Sequence, residues 1–182
     1  IFEIEERKQA EAALKKEHEF LNAVLNNIED GIVACNSEGI LNLFNRATRE
    51  LHGLPEKPIP ADQWAQHYDL YLSDGKKKMK TEDIPLFRAL QGEQVRNVEM
   101  VIAPKDGKAR TVLASGQPLF DSRGNKTGAV VSMHDITKRK LAAQELQKNK
   151  NMLQSVFDGI SEPLVMLDKD MKIKMLNRAA MT

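Results

Sequence analysis

The chain has 182 residues, 41% hydrophobic, 29% charged and 5% aromatic, room for one ordinary domain of roughly 100–150 residues plus some extra helix. Lys and Arg total 27 against 26 Asp and Glu, a balance that gives no electrostatic argument for nucleic acid or an anionic membrane as partner. Cys35 is the single cysteine, which excludes an internal disulfide, and the four histidines (His18, His52, His67, His134) contain no close pair at zinc-ligand spacing.

A reducing, cytoplasmic setting is therefore expected. No apolar run approaches the roughly 18–20 residues of a membrane span, and the N-terminus lacks a signal-peptide core. The chain starts without Met and ends inside an apparent helix, so it reads as a soluble segment of a longer protein.

Residues 1–20 have helical periodicity and a heptad-like seam that continues to residue 28: Ile4, Arg7, Glu11, Leu14, His18, Leu21, Leu25 and Ile28. Polar residues in the seam predict a weak parallel coiled coil, and the competing expectation is an amphipathic helix lying on its own domain. Gly31–Asn36 and Ile40–Phe44 are short apolar segments joined by Ser37, Glu38 and Gly39, a hairpin signal. Asn45 is placed to cap a short helix that Gly53 and Pro55 close. An irregular stretch to about residue 80 follows, with Pro58, Pro60 and an Asp74–Gly75 turn, then a helix near Glu82 to Gln91 that Gly92 ends.

Three strands come next: Val95 to Ala103, Ala109 to Leu119 and Thr127 to Ile136. Tight turns at Asp106–Gly107 and Arg123–Gly124–Asn125 make them consecutive antiparallel neighbours. The last strand reads AVVSM without strict alternation, which predicts a central strand covered on both faces. The resulting fold class is α+β, an antiparallel sheet of about five strands with helices on one face and a helix at either end.

Residues 1–48 laid over 133–180 at a constant offset of 132 give thirteen identities, where chance would give roughly three. Ile4, Arg7, Lys8, Ala10, Leu14, Lys16, Leu21, Val24, Ile28, Val33, Asn45, Arg46 and Ala47 recur as Ile136, Arg139, Lys140, Ala142, Leu146, Lys148, Leu153, Val156, Ile160, Val165, Asn177, Arg178 and Ala179. The expected organisation is a linker helix (1–20), one whole unit (21–137), a second linker helix (138–160) and the opening of a second unit (161–182). Its two short strands, Leu164–Leu167 and Ile173–Leu176, should be disordered or paired with another chain.

The segments IEDGIVACNSEGILNLFNRATRELHG and GAVVSMHDITKRKLAAQEL resemble the opening hairpin and the closing strand of the PAS sensor family. In the second, Asp135 and Thr137 match the family's Asp-x-Thr exit motif. The resemblance implies that this junction passes core distortion to the outgoing helix. Chemically, both side chains can accept from nearby amides and tie the helix start to the sheet. Glu3 and Glu5 stand at the corresponding N-terminal positions, a departure from the motif.

A ligand pocket is expected between sheet and helices, lined by Leu86, Leu90, Val98, Met100, Val112, Ala114, Val131 and Met133, with Trp64, Tyr68 and Tyr71 from the irregular segment. These are ordinary core residues too. The flavin-photosensor cysteine motif is absent, since Cys35 lies on the first strand. The helix before the third strand has no haem-ligating His, leaving only His52 and His67 as imidazoles for haem. The cofactor is thus unknown.

Glu17–Leu21 has a histidine-kinase-like His followed by an acid, but lacks the Arg-Thr-Pro continuation, and Lys150 replaces His18 in the second copy. Gly75–Lys78 lacks the phosphate-loop pattern, and the basic second linker has no nucleic-acid recognition motif. No set of nucleophile, base and orienter is present. The sequence reads as a non-enzymatic sensory module of a larger signalling protein, with a sensor histidine kinase the expected parent and a cyclic-dinucleotide enzyme the alternative. The expected partners are a second copy through the flanking helices, neighbouring domains of the parent chain and a small ligand. A ligand-free dimerisation and spacer module is the rival reading.

Overall fold

In the computed structural model, residues 2–105 and 107–181 are described, with side chains from Glu5 onward. Asp106 of the expected turn and the side chains of Glu3 and Ile4 lie outside the described residues. Helix α1 (Phe2–Asn27) leads into strands β1 (Gly31–Asn36) and β2 (Leu41–Phe44), then helices α2 (Arg46–His52) and α3 (Ala61–His67) and strand β3 (Leu70–Leu72). A 3-10 turn (Thr81–Asp83) precedes helix α4 (Pro85–Leu90), followed by β4 (Val95–Ile102), β5 (Arg110–Phe120) and β6 (Lys126–Asp135).

The six strands form one antiparallel sheet in the order β2-β1-β6-β5-β4-β3. The fold is α+β, as expected, with one strand more than the sequence suggested. That strand, β3, has three residues and pairs with the end of β4, Leu70 opposite Ile102. With α3 it replaces part of the stretch expected to be irregular. Elements of three and seven residues are too short to express a period.

The helix expected near Glu82 to Gln91 is split, because Ile84 precedes Pro85 and takes an extended conformation (φ −67°, ψ 123°), the region left to a residue before proline. Pro85 then opens α4, where its missing N–H costs nothing.

Strand β6 is central, between β1 and β5, but only one of its faces is covered. Ala129, Val131 and Met133 are buried, whereas Ser132 and His134 are exposed, so among the described residues of the first unit no helix covers the second face, contrary to the expectation. The core lies between the inner sheet face and α2, α3 and α4, with Trp64, Ile102, Val112 and Ala114 among its most buried members.

Two compact units divide the chain after Thr137. The second contains helix α5 (Thr137–Gly159) from Lys138 onward, then strands β7 (Val165–Leu167) and β8 (Ile173–Leu176). These strands pair with each other, Val165 opposite Leu176, which corrects the expectation of disorder or of pairing only with another chain. Leu14, Phe20 and Leu21 of α1 and Leu146, Leu153 and Val156 of α5 are exposed. Helix α1 is exposed from Glu5 to Val24, so it does not lie on its own sheet.

Candidate functional site

Two features of the first unit could carry a signal: an internal cavity and a pair of hydrogen-bonded junctions where the flanking helices meet the sheet. The cavity has a volume of about 40 Å³. Trp64, Tyr68, Leu86, Met100, Val131 and Met133, all expected at a pocket, do line it. Leu90, Val112 and Ala114 are buried in the core without reaching it.

Tyr71 and Val98 do not line it. In β3 the period of two puts Leu70 on the inner face and Tyr71 on the other, where Lys78 Nζ sits 5.3 Å from its ring centre. Val98 follows a bulge in β4 at which Asn97 adopts φ 49°, and it keeps the inner-face register opposite Ala114, but it is half-buried and does not reach the cavity. The residues sequence reasoning missed are Val33, Leu41 and Phe44 of the first hairpin, Leu70, Ile84, Pro85 and His52. The hairpin's alternation could have revealed the first three.

His52 is the one titratable imidazole against the cavity. It is 5% exposed, packs against Phe44 and Tyr68 with ring centres 5.7 and 5.2 Å away, and its Nδ1 makes a long 3.4 Å contact to the Tyr68 carbonyl. Burial disfavours its charged form and outweighs that contact, lowering its pKa to about 4. The other polar cavity groups are already engaged: Trp64 Nε1 donates to Ile59 O at 3.0 Å, and the Tyr68 hydroxyl accepts from Lys57 N at 2.8 Å.

About 40 Å³ accommodates one to a few waters, far below the ~300–1,000 Å³ of a typical cofactor pocket. This inner cavity has no room for a haem or flavin, while His52 and His67 also line a larger, open cleft of about 870 Å³ with Glu50, Gln63 and Lys105. Among the described residues no group of three or more His, Cys, Asp or Glu could hold a metal ion. In the Gly75–Lys78 loop Asp74 Oδ1 accepts from the amides of Lys76 and Lys77 at 2.9 and 3.1 Å, so those donors serve a turn.

At the outgoing junction the strand must become a helix without losing its backbone bonds. Asp135 Oδ1 accepts from Thr137 N at 2.8 Å, and Asp135 Oδ2 accepts from Arg110 Nη1 at 2.9 Å. Thr137 Oγ1 accepts from Thr111 N at 2.9 Å, and Ile136 N donates to Thr111 O at 2.9 Å. Partial burial would raise the Asp135 pKa, but its bonds to Thr137 and Arg110 win and hold it below the usual carboxylate range. The first turn of α5 is thereby fastened to both β5 and β6.

The incoming junction turns on Asn45, which is 2% exposed. Its Oδ1 accepts from Ile32 N and Thr48 N, each at 2.9 Å, and its Nδ2 donates to Leu25 O at 3.0 Å and Asp30 O at 2.8 Å. The expected helix cap is thus also a tie between the end of α1, β1 and α2. Asn26 adds a second tie, its Oδ1 accepting from Arg46 N at 2.9 Å and Arg49 Nη2 at 3.1 Å.

The second unit repeats this arrangement. Asn177 Oδ1 accepts from Leu164 N and Ala180 N, Asn177 Nδ2 donates to Ile160 O and Glu162 O, and Asp158 Oδ1 accepts from Arg178 N. At the 132-residue offset Asn177, Leu164, Ala180, Glu162, Asp158 and Arg178 correspond to Asn45, Ile32, Thr48, Asp30, Asn26 and Arg46. The recurrence of Asn45–Arg46 as Asn177–Arg178 was the signal for this junction.

Comparisons with known proteins bear on the fold. The PAS fold family matches residues 19–136 and a further PAS domain family matches residues 151–182. The chain is 32% identical over 129 residues to hybrid signal transduction histidine kinase I of Dictyostelium discoideum, covering 67% of this chain and 7% of that protein. It is 30% identical over 119 residues to sensor protein TdiS of Thauera aromatica, covering 65% of this chain and 21% of the relative. Sensor protein FixL of Bradyrhizobium diazoefficiens is 21% identical over 191 residues, covering 94% and 36%.

The chain therefore spans about a third or less of these relatives. The crystal structure of the PAS domain of an HTR-like protein from Haloarcula marismortui superposes with a TM-score of 0.50 at 18% identity, covering 71% of this chain and 99% of that one, a likeness of fold. With a family match over more than half its length, and with the six-stranded sheet and helices of that fold, the chain belongs to the PAS family.

Proposed function

We propose that this chain is a sensory signal-transduction segment of a larger protein, with residues 21–137 a complete PAS domain, 1–20 and 138–160 linker helices, and 161–182 the start of a second domain. It performs no catalytic step of its own. A change in the core or in a partner is relayed through the flanking helices, working as a dimer, to a downstream effector, a histidine kinase. The observation that carries this reading is the outgoing junction, where Asp135 and Thr137 fasten α5 to two strands of the sheet. The names of the curated relatives, a hybrid histidine kinase and two sensor proteins, support the sensory context.

The dimer is supported by the apolar stripe left exposed on α1 and α5, including Leu14, Leu21, Leu146 and Leu153. No described helix is long and apolar enough to cross a membrane, and the near-neutral charge supports protein rather than nucleic-acid partners. A cytoplasmic location is part of the proposal.

The small cavity favours a second reading, a ligand-free module that spaces and dimerises the parent chain. About 40 Å³ leaves room for a ligand of very few heavy atoms unless the core opens. Native mass spectrometry separates the readings. A dimer carrying a discrete extra mass supports ligand sensing, a ligand-free dimer supports the spacer, and a monomer at all accessible concentrations overturns the dimeric relay.

A further inference from the structure

The incoming and outgoing junctions are joined by one side-chain bond. Asp30, whose carbonyl is held by Asn45, places its Oδ1 2.7 Å from Nδ1 of His134. A carboxylate can only accept, so the imidazole donates. His134 immediately precedes Asp135, which fastens Thr137 and Arg110.

A continuous set of bonds thus runs from the last turn of α1 to the first turn of α5: Leu25 to Asn45, Asn45 to Asp30, Asp30 to His134, and along the chain to Asp135 and Thr137. None of these side chains lines the internal cavity. The route follows the sheet through the pairing of β1 with β6, where Gly31 lies opposite Met133.

We propose that Asp30 and His134 are positioning residues, a latch that couples α1 directly to α5, so that a displacement of the incoming helix reaches the outgoing one without passing through the core. This deepens the relay proposed above and rests on it. It also supplies a means by which tandem units could hand a signal from helix to helix with their cores empty. The pair is half-exposed, with side-chain exposures of 42% for Asp30 and 65% for His134. Its contribution should therefore appear in coupling more than in stability.

The test is amide hydrogen exchange over residues 138–143 of the 182-residue chain, since spatial continuity alone does not establish coupling. Asn26→Leu loosens the end of α1 at a partly exposed site, and Asn26→Ser is the milder second variant. Each should raise exchange in the first turns of α5 several-fold with the latch intact, and should have no effect there in the Asp30→Ala background.

Asn26→Asp should behave as the wild type, because Asp158 occupies that position in the second unit and accepts from Arg178 N, and Asp30→Glu should retain the coupling, since it keeps a carboxylate for the His134 imidazole. An Asn26→Leu effect of equal size in both backgrounds, or none at α5, overturns the latch. Val131→Ala, which perturbs the core, tells the two proposals apart. If it changes α5 exchange while Asn26→Leu does not, only the latch fails. If neither changes it, the relay fails as well.

Discussion

His52 offers a sharp test of how the core is built, because a neutral imidazole buried against Phe44 and Tyr68 must become charged as the pH falls. Its folded-state pKa of about 4 lies below the ordinary 6.5, so between these values the unfolded chain binds the additional proton and stability rises with pH. The stabilisation is complete above about pH 6.5 and is lost progressively down to about pH 4. The full loss is about 3 kcal/mol, at ~1.4 kcal/mol per pH unit for one proton, and about 2.5 kcal/mol of it falls between pH 7.5 and 4.5.

With a urea dependence of roughly 1–3 kcal/mol/M, the unfolding midpoint of the wild type should drop by ~1–2 M over that interval. His52→Leu removes the titrating group while keeping an apolar side chain of similar bulk. Its absolute stability is free to move either way, but its midpoint should be nearly flat from pH 7.5 to 4.5. The carboxylates held below their usual range, Asp74, Glu93, Asp121 and Asp135, lose their stabilisation only as pH falls through and below about 4. They therefore do not imitate the effect. Equal slopes in wild type and His52→Leu would refute the reasoning.

Gly128 of β6 lies so close to β1 that an added Cβ would come within 2.0 Å of Cys35 O. Gly128→Ala should thus cost upwards of about 3 kcal/mol, read by urea unfolding, since rigid backbone must move. Met171 sits at the hairpin position of Gly39 in the second unit, at φ 61° where Gly39 has 77°. Met171→Gly should stabilise the β7–β8 hairpin by about 1 kcal/mol, seen as slower amide exchange there. Asn45→Ala removes a buried cap and leaves the Leu25 and Asp30 carbonyls without their donor. A loss of about 2–4 kcal/mol is expected by thermal or urea unfolding.

The hairpins were legible in the sequence because their turn residues, Ser37–Gly39 and Arg123–Asn125, sit between alternating apolar runs. The whole β1–β2 opening was legible twice, through its recurrence at residues 160–180. What was not legible depended on tertiary context. Helix α3 and strand β3 are stabilised by Trp64, Tyr68 and Leu70 entering the core rather than by propensity. The pocket lining failed where strand phase and depth decide: Tyr71 flanks the inward Leu70, and Val98, though opposite the buried Ala114, is only half-buried and stops short of the cavity. His52 follows the last apolar position of α2, and only the packing of Phe44 and Tyr68 around it shows that it faces inward.

The same packing explains why the cavity between sheet and helices is so small: Trp64, Phe44 and Met100 are buried around it. The junctions were legible in part. Asp135 and Thr137 resemble a known motif, and Asp30 with Gly31 forms the Asp-Gly step of the resembling opening segment, but the bond of Asp30 to His134, 104 positions away, has no local signal, and neither has the tie of Asn26 to Arg46, 20 positions away.

The most direct test of the account is amide exchange in the first turns of α5 after a core perturbation, with and without the Thr137 tie. Val131 is 2% exposed, and Val131→Ala removes buried volume at a cost of about 1–3 kcal/mol, within the usual stability of a folded domain. The account predicts that Val131→Ala alters exchange over residues 138–143 several-fold when Thr137 is present, and that the change disappears in the Thr137→Val background. A change of the same size in both backgrounds, or no change at α5 in either, would contradict it.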